Sequence, residues 1–449
     1  MLILSDSSSL LTGWLTAATA SQTLKQNCGP IKHINVTSQR TRQRTATPEL
    51  ISLQGNVLLQ LQKLGITESI LHSKARATPW LANKFSQWND AQHNQFAGLA
   101  RSGVNFGGIP FSHYFARLVS EDKENTFRIE QFSLNTLCAQ TGVFTHPVSD
   151  PRSILSSLEY GLTLSTTELS KLLEQSALAN NVEFLEVNVA ELSSLIKPGE
   201  SQSIVDCRPE RAIDMPTNFK LPVNQINVDI EITKTPTGQL YCEFDAQEDG
   251  FVIAQCVSGL RQSRRFSYSD TAPSMAANTP PHWDQQTNTL FIGDSGISQV
   301  SLDLGLDMKL SLLNVFWPLL AENQKPAPLK VEYFNRRANK AYSYLADMAL
   351  LPFILARRAD SQFWREINGS SSSDELNHLI DLFCNTGVLP SYEHYRENSH
   401  EIENILLAFD YVPSGYDPLT QHMSEEELTN SMRQLHNQLV TTVKQLPAV

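Results

Sequence analysis

The chain opens on a short apolar run, Leu2 to Leu4, followed by the polar stretch Ser5-Asp6-Ser7-Ser8-Ser9. A helical pattern then runs from about Leu11 to Lys25, with Leu11, Leu15, Ala18 and Gln22 on one face. Asn27, Gly29 and Pro30 stop it, and Ile31 to Val36 alternates as a strand does. Strand, helix and strand of this size form the unit that opens a dinucleotide-binding fold. A second helix is announced by Ser165-Thr166-Thr167-Glu168. In this capping-box pattern the Ser and Glu side chains each satisfy an orphan backbone N–H, and Leu169, Leu172, Leu173 and Ala177 then line one face. Val182–Val189 and Ser203–Cys207 read as strands. Alternation over Val228–Ile232 and Leu240–Phe244 predicts one antiparallel pair, and Gly250–Val257 with Arg264–Tyr268 predicts another.

The pattern changes in the final third. From about Leu306 it becomes helical, over Leu310–Ala321, Val331–Met348, Asp374–Phe383 and Glu425–Leu446. The expected architecture is α/β over residues 1–305, with an antiparallel sheet, and a mostly helical C-terminal lobe over 306–449. Ser370–Ser373 is the one low-complexity piece and reads as a surface loop.

Composition narrows the function classes. Of the 449 residues 41% are hydrophobic and 18% charged, which supports a sizeable core and excludes intrinsic disorder. With 35 Lys and Arg against 47 Asp and Glu, the net charge is −12. Nucleic-acid binding needs clustered cations, so no nucleic-acid partner is expected. The six cysteines are scattered, with no CxxC pair, which argues for a reducing compartment and against zinc or disulfides. No apolar run approaches the ~18 residues of a membrane span. The segment after Asp6 imitates a signal peptide, but its first positive charge is Lys25, so it is read as strand plus helix of a cytoplasmic protein. Eleven histidines show no HExxH spacing, and no Ser stands in GxSxG, so neither a metal site nor a hydrolase is indicated.

At the first strand-to-helix turn a dinucleotide binder needs glycines, which let the backbone approach the pyrophosphate. Ser8 to Gly13 stands where GxGxxG belongs, and only Gly13 remains, with Leu10 pushing a side chain toward the diphosphate. The acidic residue expected at the end of the second strand is missing; the strand closes at Val36-Thr37. The unit reads as one that kept its packing and lost its ligand, or that binds by another geometry.

Downstream segments resemble the flavin-dependent tryptophan halogenases. Tyr333–Met348 and Ala356–Trp364 (ARRADSQFW) are similar to that family's YNRR…Y…D and R.DS.FW elements, and Val412–Leu428 resembles its P..YHPL…EEL segment. Trp14–Ala18, Ala46–Pro48, Ser203–Cys207 and Thr289–Gly296 match further elements in the family's order. The resemblance implies a Rossmann-like flavoprotein-monooxygenase lobe carrying FAD and a helical lobe that helps bind an aromatic substrate. In the family, flavin hydroperoxide oxidises halide to hypohalous acid, which a lysine and a nearby glutamate direct onto an indole.

Those parts are altered here. Ala77–Trp88 aligns with the family's lysine segment through Lys84, Phe85 and Trp88, so Trp80 occupies the catalytic lysine's position. Tryptophan has no ammonium; Lys84 matches a second, non-catalytic lysine expected to make a salt bridge. The WxWxIP element, aligned from Gly250, reads Phe251 to Cys256, a plain buried strand. The family's GDAAG…P.EST turn appears as Gly293–Gly305. Gly293, Asp294 and Gly296 survive as flavin contacts; Leu304-Gly305 replaces the Ser-Thr pair. Asp303 falls near the catalytic glutamate's position, either as a carboxylate that polarises an indole N–H or as an acid favoured at a helix start. Arg40, Arg42 and Arg44, and likewise Arg261, Arg264 and Arg265, read as anion-binding or solvated loops, and His113 as a packing or capping residue.

Three readings follow. One is an active FAD-dependent halogenase or monooxygenase on tryptophan or another indole; another is a different enzyme that uses the pocket without flavin. The favoured one is a family member that keeps the fold and serves as a non-catalytic binding or partner protein. Its partner would be an indole-bearing small molecule or peptide, or another halogenase-family protein. Homodimerisation is open.

Overall fold

The computed structural model describes residues 1–24, 30–37, 50–89, 94–121, 127–196, 202–209, 226–235, 238–268, 280–293, 304–320, 325–368, 373–390 and 399–449. Its strands are β1 (Leu2–Ser5), β2 (Lys32–Thr37), β3 (Leu50–Leu53), β4 (Thr78–Trp80), β5 (Ala82–Ser86), β6 (Gln95–Gly98), β7 (Gly161–Ser165), β8 (Glu183–Asn188), β9 (Ile204–Asp206), β10 (Ile226–Thr233), β11 (Tyr241–Gln247), β12 (Gly250–Val257), β13 (Leu260–Tyr268), β14 (His282–Asp284) and β15 (Thr289–Phe291). Its helices are α1 (Leu10–Thr23), α2 (Gly55–Lys63), α3 (Glu68–Ala75), α4 (Phe111–Glu121), α5 (Leu134–Thr141), α6 (Thr166–Ala179), α7 (Val189–Leu195), α8 (Leu304–Leu319), α9 (Pro328–Leu355), α10 (Gln362–Asn368), α11 (Asp374–Thr386), α12 (Ser399–Ala408) and α13 (Glu425–Val443). The chain packs as two units. One comprises residues 1–77, 163–230 and 269–349; the other comprises 78–162, 231–268 and 350–449.

The first unit holds a six-stranded sheet in the order β14-β15-β9-β1-β2-β8. Every neighbouring pair is parallel except β14 with β15. Strands buried on both faces read as continuous apolar runs rather than alternations, which is why Leu2-Ile3-Leu4 sits at its centre. The expected β-α-β unit is present as β1, α1 and β2. Helix α1 differs from a one-faced helix, because every residue from Thr12 to Ser21 is buried. Its neighbours α6 and α8 cover the sides that the sheet leaves. The hydroxyls inside it turn back on its own backbone: Thr16 donates to the Thr12 carbonyl at 2.8 Å and Thr19 to the Leu15 carbonyl at 2.9 Å. Helix α6 starts where the capping pattern placed it, with Ser165 Oγ accepting from the Glu168 N–H. The Glu168 carboxylate turns instead to Lys171, 2.8 Å away.

The second sheet runs β10-β13-β12-β11-β5-β6. Two-residue connections, Glu248-Asp249 and Ser258-Gly259, join β11 to β12 and β12 to β13, and Gly259 supplies the positive φ of +80° that such a turn favours. The Gly250–Val257 strand therefore pairs with the strand ending at Tyr268, as expected. The pairing expected between Val228–Ile232 and Leu240–Phe244 does not form. Both edges of β11 are taken, by the hairpin partner β12 and by β5 in parallel register, so β10 lies on the outer edge of β13.

One face of this sheet carries Phe85, Phe244, Phe251 and Phe266. Trp88, Phe353, Phe363, Trp364 and Phe409 complete the cluster. The buried indoles have partners: Trp88 Nε1 donates to the Phe244 carbonyl at 3.0 Å and Trp364 Nε1 to the Gln247 carbonyl at 2.8 Å. The C-terminal stretch is helical as expected, with α13 closed by a full capping box of Ser424 and Glu427. No helix among the described residues is long and apolar enough to cross a membrane. Phe251 stacks on Phe266 at 4.5 Å and lies edge-on to Phe353 at 4.9 Å. Phe251→Ala should lower stability by about 3–5 kcal/mol, read from the urea unfolding midpoint.

Candidate functional site

The carboxyl ends of β1, β9 and β15 meet at the turn into α1, the place where open parallel sheets bind ligands. A nucleotide pyrophosphate would need backbone N–H groups there. In this chain a side chain has taken them. Asp6, buried just beyond β1, accepts from the backbone N–H of Ser8 at 2.9 Å and of Ser9 at 3.2 Å through Oδ1. The Ser8 and Ser9 hydroxyls donate to the same oxygen at 2.6 and 3.1 Å. The Ser9 hydroxyl in turn accepts from the Asp6 N–H at 2.9 Å. The turn is an internal anion cradle that its own carboxylate fills.

Arg208, at the end of β9, forms an ion pair with Asp206. That bond raises the arginine's pKa most, and the charge of Asp6 adds to it. Gly293, which follows β15, lies against the same segment, and a Cβ there would come within 2.0 Å of the Arg208 carbonyl oxygen. Gly293 and Asp6 are thus brought to one end of the sheet. Asp294, Gly296 and Asp303 lie outside the described residues, as do Arg40, Arg42, Arg44 and the Ala46–Pro48 match.

Gly13 has a packing reason of its own. A Cβ would stand 2.5 Å from His33 Nε2 and 2.8 Å from the Ser5 Cβ. His33 is fully buried, shares a hydrogen bond with Ser5 Oγ at 2.8 Å, and meets the Trp14 ring edge-on at 4.3 Å. Burial lowers its pKa to about 3, so the ring is neutral throughout the physiological range. The surviving glycine of this turn accommodates a histidine, and its Ser8 and Ser9 donors serve Asp6. A doubly charged pyrophosphate placed there would face a carboxylate instead of free N–H groups, and the residues present do not fit it.

Trp80, in the lysine's position, is 2% exposed in β4 and donates its indole N–H to the Ala82 carbonyl at 2.9 Å. Lys84 makes the expected salt bridge: its Nζ lies 2.7 Å from Glu243 Oε1, across the register pair that joins β5 to β11. Phe251 to Cys256 form the interior of β12, the central part of the hairpin, with Phe251 and Ile253 both buried. Leu304 opens α8. His113 Nδ1 accepts from the Asp417 N–H at 3.1 Å, a packing contact.

Strand β13 starts earlier than the predicted Arg264–Tyr268, so Arg261 lies in it with Arg264 and Arg265 and none of the three is a loop residue. Alternation sends Gln262, Arg264 and Phe266 to the buried side, while Arg261 reaches Glu243 Oε2 at 2.9 Å from the other. Burial lowers the Arg264 pKa to about 10. The period-2 pattern around Phe266 was the available signal. Asp6 was missed as a site residue, although an Asp two and three positions before serines at a strand end is an Asx-turn pattern.

A family model described as tryptophan halogenase matches residues 11–204 and 308–425. A flavin-dependent halogenase from Brevundimonas sp. BAL3 superposes with a TM-score of 0.84 at 16% identity, covering 100% of this chain and 97% of that one. A flavin-dependent halogenase from Xanthomonas campestris gives 0.79 at 16% identity, over 100% and 96%. A tryptophan 6-halogenase from Streptomyces toxytricini gives 0.77 at 12% identity, over 100% and 98%. No curated protein sequence matches the chain significantly.

The neutral His33 makes stability pH-dependent. Between its ordinary pKa of 6.5 and about 3, the unfolded chain binds a proton that the folded chain excludes. Stability should therefore fall as pH drops across that window, by about 1.4 kcal/mol per unit from this group. Urea midpoints measured against pH should lose this component of the slope in His33→Gln.

Proposed function

Because this chain belongs to the tryptophan halogenase family, we propose that it keeps the fold of that family as a non-catalytic binding or partner protein in the cytoplasm. The observation that carries this reading is the Asp6 carboxylate held by the Ser8 and Ser9 N–H groups, where the cofactor's pyrophosphate would need them. Burying a pyrophosphate there would set two anions together and leave one of them without donors. Trp80 supports it independently. An indole whose N–H is already given to Ala82 offers no cation to hypohalite, and the neighbouring Lys84 is tied to Glu243. The scattered cysteines agree with a reducing compartment.

The occupants consistent with the family are an indole-bearing small molecule or peptide, or another member of the family. FAD enters as the cofactor the family implies, and the turn argues against it. Fluorescence titration of the whole protein with FAD, oxidised and reduced, should show no saturable binding, and Trp80→Lys alone should not halogenate tryptophan when flavin reductase and bromide are supplied. Saturable FAD binding, or product formation by the single variant, would overturn the reading and restore the active halogenase.

A further inference from the structure

The polar face of the second sheet carries a cavity of about 370 Å³, within the ~300–1,000 Å³ range of small-molecule pockets. Strand alternation makes it. Phe85, Phe244 and Phe251 turn to the aromatic core, so Lys84, Ser86, Glu243, Asp245, Val252 and Ala254 are left on the opposite face. The cavity is thus on the side of β12 away from Phe251 and Ile253.

Its charged groups are not equivalent. Glu243 is matched twice, by Lys84 at 2.7 Å and by Arg261 at 2.9 Å. Asp245, one pleat along, takes its hydrogen bonds from neutral groups, Gln87 Nε2 donating to Oδ1 at 3.3 Å and Gln247 Nε2 to Oδ2 at 2.5 Å, while Lys84 and Arg261 pair with Glu243 and act on Asp245 only through their charge. Burial raises the Asp245 pKa and the Glu243 charge raises it further, as expected for an acid that lacks a cation of its own. Directly across the register from Asp245 stands Ser86, 7% exposed, whose buried Oγ has no hydrogen-bond partner among the described residues. Buried hydroxyls almost always have one. Val252 and Ala254 give the cavity an apolar floor.

We propose that this cavity binds a small organic cation, its ammonium or guanidinium group set between the Asp245 carboxylate and the Ser86 hydroxyl and its carbon chain lying along Val252 and Ala254. An anion would meet the Asp245 carboxylate, and Arg261, the cation that lines the cavity, is already given to Glu243, while a neutral alcohol would leave the acid unmatched. The site is separate from the β1–α1 turn and stands whether or not FAD binds.

Isothermal titration calorimetry of the full chain with agmatine at pH 7.5 should give saturable binding. Asp245→Asn, which keeps the size and one acceptor for the glutamines, should weaken it at least tenfold, and Ser86→Ala severalfold. n-Butylammonium should bind and n-butanol should not. A thermal melt within a few degrees of wild type establishes that each variant is folded. No saturable binding to wild type, equal binding by Asp245→Asn, or equal binding of n-butanol would overturn the proposal.

Discussion

A carboxylate can be buried at the end of a parallel strand only if donors surround it, and Asp6 has recruited the N–H and hydroxyl groups of both Ser8 and Ser9. That one arrangement sets the entry into α1, because Ser9 both caps the turn and opens the helix that the whole first unit packs around. Helix α1 can be buried on all sides because Gly13 leaves room for His33, and His33 can be buried because it stays neutral. Anion, glycine and histidine form a chain of dependencies along a few residues of sequence. The strand-to-helix turn is thereby part of the protein's own core.

Much of this was legible in advance. The β-α-β opening, the start of α6, the β12–β13 hairpin and the helical C-terminal stretch all follow from local patterns of apolar residues and caps. Sequence pattern could not tell that Asp6 would fill the β1–α1 turn, because the contact depends on side-chain direction within a turn, not on periodicity. The pairing of β10 was misjudged for a related reason. Nearness in sequence favoured β11, but β5, more than 150 residues earlier, takes that edge, and no local signal reports so distant a partner. Arg264 was placed at the start of a strand by alternation yet given a solvated role by its charge, whereas the strand pattern places it inside.

The second sheet divides its labour between faces. Aromatic rings on one side, with buried indole N–H groups satisfied by strand carbonyls, give a rigid support. The other side holds charges in fixed register, so that Lys84 and Glu243 meet because their backbones are paired and not because long side chains found each other. Polar groups so positioned lose little freedom on engaging a ligand.

The interleaving of the two units bears on how the chain is made. Each unit gathers three separate stretches, and the first sheet sets β1, built from the first five residues, beside β9, which itself awaits β15 at Thr289–Phe291. A ribosome releasing the chain from its N-terminus therefore exposes the apolar Leu2-Ile3-Leu4 strand long before its full set of neighbours exists. Through most of synthesis the β9 side of that strand is an unpaired edge, open to other nascent chains.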